Sequence, residues 1–90
     1  IEEAGRINAR LGMEYLKRGQ LQVAQEKIEK ALQQNPRDVN VQLSAGLVYE
    51  RLLETKKAEK HYRQAVREDA ESPEALNALG NIHAQHERWA

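Results

Sequence analysis

The sequence predicts an all-α fold in which antiparallel helical hairpins stack into a solenoid of about two and a half repeats. The first observation is a period, because Gly12, Gly46 and Gly80 stand 34 residues apart. The second is that a tyrosine follows the first two glycines at one fixed distance, at Tyr15 and Tyr49. Arrays of this kind bury their core between neighbouring hairpins and usually act as binding scaffolds rather than enzymes.

The first repeat is predicted over residues 5–38. Apolar residues at helical spacing indicate its first helix, and Gly19 indicates where that helix ends. A second run of the same kind stops before Pro36, because proline disfavours helix in the residue ahead of it. The two runs consist of Ile7, Leu11, Tyr15 and Leu16, then Leu21, Ala24, Ile28, Ala31 and Leu32.

The second repeat is predicted over residues 39–72, with Asp38 as the N-cap of its first helix. It carries the same two periodic runs, with alanines again at the matching positions of the second run. The runs consist of Val41, Ala45, Val48, Tyr49 and Leu52, then Ala58, Tyr62, Ala65 and Val66.

The third repeat is predicted over residues 73–90, as a first helix and the start of a second. Ser72 followed by Pro73 is a strong helix start, and Leu76, Leu79, Gly80 and His83 continue the periodic pattern. We therefore expect five helices and no strand. Because the chain starts without methionine and stops within a repeat, we expect residues 1–90 to be a single-domain fragment of a longer protein.

The three periodic glycines need a packing explanation, since glycine within a helix costs roughly 1 kcal/mol relative to alanine. We expect Gly12 to let its helix approach the second helix of the hairpin, where Ala24 stands opposite. Gly46 and Gly80 are expected to mark the same crossing in their own repeats.

Composition excludes several classes of function. The chain has 14 basic and 14 acidic residues, so its net charge is zero and nucleic acid is not an expected partner. It has no cysteine, which excludes disulfides, thiolate nucleophiles and cysteine-based metal sites. No apolar run approaches the roughly 20 residues that span a bilayer, so no direct membrane span is expected.

The periodic positions resemble the tetratricopeptide repeat (TPR). This resemblance implies a right-handed α-solenoid whose first helices line a concave groove that docks peptides or proteins. It rests on matching residues in each repeat: Asn8, Leu11, Gly12, Tyr15, Ala24, Ile28, Ala31 and Pro36; Gln42, Ala45, Gly46, Tyr49, Ala58, Tyr62, Ala65 and Ala70; Leu76, Leu79, Gly80 and His83.

Three strings carry a narrower resemblance, namely residues 7–19, 58–65 and 76–80. They look like strings in the type IV pilus biogenesis and stability proteins called PilF or PilW. Those proteins are outer-membrane lipoproteins that face the periplasm and help the pilus secretin to assemble. The resemblance implies a secretin partner and a location at the periplasmic face of the outer membrane. Without it, a cytoplasmic adaptor is expected.

The groove implied by the resemblance has an apolar floor of Met13, Leu43 and Leu47, and the amides of Asn77 and Asn81 can pair with an extended backbone. Four basic and two acidic side chains on its rim favour a mildly acidic or amphipathic ligand. The full predicted lining is Arg6, Ala9, Arg10, Met13, Lys17, Asn40, Leu43, Ser44, Leu47, Glu50, Arg51, Glu74, Asn77, Ala78 and Asn81.

One clamp known in the TPR family is absent from this groove. Members that bind chaperone tails hold a terminal carboxylate with basic and amide side chains. The matching positions carry no such set, so chaperone-tail binding is not predicted. They are Ala9, Met13, Ser44, Glu74 and Ala78.

Catalytic and metal chemistry are not expected. His83, His86 and Glu87 share one helix face, but a closed zinc site needs four ligands, and packing or helix-end roles explain these residues better. No nucleophile, base and orienting group can be assembled, and no cofactor is implied. The basic stripe of Lys56, Lys60, Arg63 and Arg67 alternates with glutamates, which is typical of a solvated face.

A rival interpretation is a structural module that supplies spacing or self-association. A third hairpin without a complete second helix would leave Leu76, Leu79 and Trp89 partly uncovered. Exposed apolar surface of this kind favours pairing of two copies.

Overall fold

Five helices form the protein over the part of the chain that the structure describes. The computed structural model describes the backbone of residues 2–89 and their side chains, apart from those of His86, Arg88 and Trp89. The helices are α1 (Glu2–Lys17), α2 (Leu21–Gln34), α3 (Val39–Arg51), α4 (Thr55–Glu68) and α5 (Pro73–Trp89). No strand occurs within residues 2–89, so the predicted all-α repeat fold is confirmed.

The helices pack as two hairpins followed by a single helix. α1 packs on α2 and α3 packs on α4, while α5 lies against α4 and α3. The first helices α1, α3 and α5 also contact one another in order along the array. The turns within the hairpins are three residues long, which forces the paired helices to run antiparallel.

The predicted N-caps of α3 and α5 are confirmed. The Asp38 carboxylate accepts hydrogen bonds from the backbone amides of Asn40 at 2.8 Å and Val41 at 3.1 Å. The Ser72 hydroxyl accepts from the amide of Ala75 at 3.2 Å. Each cap satisfies amides that have no partner within the first helical turn.

Both hairpin turns use a left-handed residue, but only the first is a glycine. Gly19 has a φ of 77°, and the next residue, Gln20, donates its amide to the Tyr15 carbonyl at 2.9 Å. In the second hairpin Leu53 has a φ of 62°, and Glu54 donates to the Tyr49 carbonyl at 2.9 Å. Leucine pays a steric penalty in this conformation that glycine does not.

Replacing Leu53 with glycine should therefore stabilise the protein by about 1 kcal/mol. Leu53 is 87% exposed, so little buried apolar surface is lost with its side chain. Chemical denaturation would measure the change in the free energy of unfolding. Leu53→Ala is the matched control, because it removes the exposed side chain but keeps the Cβ atom. An equal gain in both variants would contradict the backbone explanation.

The core is built from small residues where helices cross and from larger ones between hairpins. Ala24, Ala31, Ala58 and Ala65 are all fully buried. One cluster joins the first hairpin to α3, and a second joins the second hairpin to α5 through residues such as Tyr62 and Ile82. The core therefore consists of two clusters, and Leu52 packs against both of them.

The three periodic glycines turn out to have different surroundings. A Cβ atom added at Gly12 would lie 3.3 Å from the Ala24 carbonyl oxygen, so the predicted close crossing is confirmed there. At Gly46 the added atom would lie 2.7 Å from Tyr62 Cζ and closer still to Cε1. At Gly80 nothing lies within 4 Å. The expected crossing at Gly80 is wrong for the described residues, because no second helix packs on that face.

The expected start of a second helix in the third repeat is also not seen among the described residues. α5 runs without interruption from Pro73 to Trp89. Glu87 occupies the place that matches Gly19 in the period, and Ala84 and Gln85 precede it. Alanine, glutamine and glutamate are all strong helix formers, so nothing in this stretch ends the helix.

A buried glutamine ties the inter-repeat turn to the second hairpin. Gln42, only 5% exposed, donates its amide to the Pro36 carbonyl at 2.6 Å. Its carbonyl oxygen then accepts from His61 Nδ1 at 2.8 Å, which places the proton of the neutral imidazole on Nδ1. The His61 ring stacks on Tyr49 with centroids 5.3 Å apart.

This arrangement predicts that stability falls as the solution is acidified below neutral pH. Burial lowers the pKa of His61 below its ordinary value of 6.5, and the charges of Lys60 and Lys57 lower it further. The unfolded chain therefore takes up the proton first. The stability that neutral His61 contributes is complete above pH 6.5 and is lost as the pH falls toward the pKa of His61 in the folded protein.

Thermal unfolding at about pH 7.5 and about pH 5 would measure this effect. His61→Asn is the matched control, since its amide can donate from nearly the position of Nδ1 but does not titrate. We expect a shallower pH dependence in the variant. An unchanged slope would show that His61 is not the responsible group.

Candidate functional site

Two hollows open between neighbouring first helices, on the face where the groove is predicted. The smaller, the α1/α3 hollow, has a volume of about 210 Å³, and the larger, the α3/α5 hollow, about 500 Å³. The first is lined by Arg6, Ala9, Arg10, Asn40, Val41 and Ser44. The second is lined by Leu47, Glu50, Tyr62, Glu74, Asn77, Ala78, Asn81, Ala84 and Gln85.

The structure brings most of the predicted groove residues to these hollows but leaves out four of them. The four are Met13, Lys17, Leu43 and Arg51. Met13 and Leu43 are partly buried, and each packs against one of the two core clusters. Of the predicted apolar floor, Leu47 lines a hollow and is 41% exposed.

The basic rim predicted from sequence is partly neutralised. Arg6 Nε lies 3.0 Å from a carboxylate oxygen of Asp38, and Lys17 Nζ lies 3.9 Å from Glu14. Burial raises the pKa of Asp38, but hydrogen bonds from Arg6 and from two backbone amides outweigh it and hold the pKa below its ordinary value. Arg6 therefore pairs with the carboxylate that caps α3, in addition to lying on the rim of the groove.

The larger hollow is acidic. Glu50 and Glu74 line it, and no lysine or arginine is among the lining residues that the structure describes. Glu74 lies in the first turn of α5, where the positive end of the helix dipole favours a carboxylate. Of the mildly acidic or amphipathic ligand expected from sequence, the acidic alternative does not suit this part of the groove.

Tyr62 is a site residue that sequence reasoning missed. Its ring is fully buried under Gly46, and its hydroxyl donates to a carboxylate oxygen of Glu50. Burial, followed by the hydrogen bond and charge of Glu50, raises the pKa of Tyr62, which keeps the phenol protonated. The sequence does carry a signal for this role. Ile28 occupies the matching position of the first repeat, which marks the position as core, and a tyrosine hydroxyl in a core needs a hydrogen-bond partner.

Two amides face the larger hollow from α5. Asn77 and Asn81 are four residues apart and both exposed, so they lie on one helix face one turn apart. Neither has a hydrogen-bond partner within the described part of the chain. Each amide can both donate and accept, as pairing with an extended peptide backbone requires.

The basic stripe on α4 lines a separate hollow of about 670 Å³. Arg63 donates to Glu59 at 2.6 Å, and His83 Nε2 lies 3.3 Å from the same carboxylate. His83 is thus exposed and paired with α4 rather than packed like Tyr49. The solvated role of the stripe stays a prediction.

The metal candidate includes His86, whose side chain lies outside the described residues. Over the residues that the structure does describe, no group of three or more histidine, aspartate or glutamate side chains is placed to hold a metal ion. The expected absence of a metal stays a prediction.

The face expected to favour self-association is partly exposed. Leu76 is 48% exposed, whereas Leu79 packs against the second core cluster. Trp89, the third residue of that prediction, lies outside the described side chains.

Among the described helices, none has the length and apolarity needed to cross a membrane.

Comparison with known proteins identifies similar sequences over almost the whole chain. Two family models, each described as "Tetratricopeptide repeat", match residues 5–38 and 39–82. The chain is 28% identical over 88 residues to the "Type IV pilus assembly protein PilF" of Pseudomonas aeruginosa. That alignment covers 98% of this chain and 35% of the relative, so the chain spans about a third of the relative's length.

Proposed function

Because the chain belongs to the tetratricopeptide repeat family, we propose that it is a non-catalytic scaffold holding a segment of a protein partner in its groove. The observation that carries this proposal is the α3/α5 hollow. It places the exposed side chain of Leu47, the amides of Asn77 and Asn81 and two carboxylates around one space. Apolar contact combined with a few oriented polar groups is the usual composition of a recognition site.

A crosslinking experiment tests this proposal in the cells that encode the protein. A photoreactive phenylalanine analogue is placed at Asn81, inside the hollow, and separately at Glu26, on the outer face of α2. We expect a discrete crosslinked partner from position 81 and none from position 26. Identical products from both positions, or no product from position 81, would argue against use of the groove.

The finer proposal is that the scaffold works in type IV pilus assembly, with the pilus secretin as its partner. It is supported by the similarity to the Pseudomonas aeruginosa pilus assembly protein and by the three strings that resemble the PilF and PilW family. This finer proposal implies a location at the periplasmic face of the outer membrane. Recovery of the secretin in the crosslink from position 81 is the expected result, and another partner would indicate a general adaptor.

One observation favours self-association as a second candidate. The face of α5 around Gly80 is open, and Leu76 on that helix is half exposed. A structural module could pair two copies through this face. Light scattering over a range of concentrations should then detect a dimer that Leu76→Glu abolishes. A monomer at every concentration would remove this candidate.

A further inference from the structure

We propose that the α3/α5 hollow selects partner segments that present a lysine or arginine next to an apolar residue, with the cation held by Glu50 and Glu74. This inference rests on the scaffold function proposed above and names the chemistry of its partner. It commits to a peptide segment of a protein as the occupant.

The charge of the hollow is the first argument. Within the described part of the chain, the Glu50 carboxylate accepts a hydrogen bond from a neutral phenol and forms no ion pair, and Glu74 forms no ion pair either. By contrast, Glu59 on the outer side of α4 forms an ion pair with Arg63 at 2.6 Å. The hollow therefore holds two carboxylates whose charge the described residues do not offset, which favours a cationic occupant.

The orientation of one carboxylate is the second argument. The buried Tyr62 hydroxyl donates to Oε1 of Glu50, so this carboxylate is held in place, and no described residue bonds to its Oε2. A fixed acceptor loses less conformational entropy on binding than a freely rotating one. Arginine and lysine form their strongest hydrogen bonds with ionised carboxylates.

The remaining lining suits the rest of such a segment. Leu47, Ala78 and Ala84 provide apolar contact for the methylene stem of a basic side chain or for a neighbouring apolar residue. Asn77 and Asn81 provide amides for the backbone. The volume of about 500 Å³ falls within the range of roughly 300–1,000 Å³ that is typical of ligand pockets.

Selection from a phage library of random short peptides tests the preference directly. We expect the selected peptides to be enriched in a lysine or arginine adjacent to an apolar residue. Fluorescence anisotropy would then measure the affinity of a selected peptide for each variant. Glu50→Gln and Glu74→Gln should each weaken binding roughly three- to ten-fold. Glu26→Gln removes the same charge far from the hollow and should leave the affinity unchanged.

A second variant separates failure of this inference from failure of the scaffold function. Ala84→Trp fills the hollow from an exposed position without changing charge. The selected peptides could instead be neutral or acidic, with binding that is lost in Ala84→Trp but kept in both glutamine variants. That result would overturn the preference for a basic residue and leave use of the hollow intact. Failure to enrich any peptide, or binding unaffected by Ala84→Trp, would overturn use of this hollow altogether.

Discussion

Replacing Gly46 with alanine should destabilise the protein by about 2 kcal/mol, although alanine is the better helix former. The added methyl group would overlap the Tyr62 ring, lying 2.7 Å from Cζ and closer to Cε1. That ring is fully buried and cannot move aside without disturbing the second core cluster. The gain in helix propensity of about 1 kcal/mol offsets only part of this strain.

Gly80→Ala is the matched control, because the same substitution meets no atom within 4 Å. Only the helix propensity then changes, so we expect a stabilisation of about 1 kcal/mol. Thermal unfolding would show the two variants moving in opposite directions, by about 4–8 °C for each kcal/mol. Destabilisation of similar size in both would mean that the described packing around Gly46 is not the cause.

Replacing Tyr62 with alanine should have the largest effect of any substitution considered, about 3 to 5 kcal/mol of lost stability. Among the described residues Tyr62 is the largest fully buried side chain, and it lies where α3, α4 and the α3/α5 hollow meet. Tyr62→Phe keeps the ring and removes only the hydrogen bond to Glu50, so about 1 kcal/mol is expected. Denaturant titration of both variants measures the two contributions separately.

A double-mutant cycle makes the prediction for Tyr62 more stringent. Tyr62→Ala removes the three atoms nearest to the added methyl group, so in that background Gly46→Ala should cost much less stability. The two substitutions are therefore expected to be strongly non-additive. Additive losses would contradict the contact between these positions.

The parts of the fold that could be predicted from sequence depend on local chemistry. The glycine and tyrosine period placed the helices in their repeats, and Asp38 and Ser72 marked two helix starts, because caps act within one turn. The left-handed conformation of Leu53 was not predictable in the same way, although the period places this residue opposite Gly19. Leucine adopts the left-handed conformation only because packing of α3 on α4 requires the turn there.

The candidate site was predictable only in part, because helix phase does not determine burial. The repeat period and the helical spacing predicted that Glu50, Asn77 and Asn81 lie beside one another, and all three line the α3/α5 hollow. Leu43 shares a phase with exposed groove positions but packs against the core, since the crossing angle decides which residues are covered. Tyr62 reaches the hollow from the opposite helix of its hairpin, which a period within one helix cannot indicate.

Backbone NMR with a selected peptide is the most direct test of the central claim that this scaffold binds its partner between first helices. The account predicts chemical-shift changes concentrated at Leu47, Glu50, Asn77 and Asn81, with little change on the outer face of α2. Changes concentrated on the stripe of Lys56, Lys60, Arg63 and Arg67, or spread evenly over the helices, would contradict it.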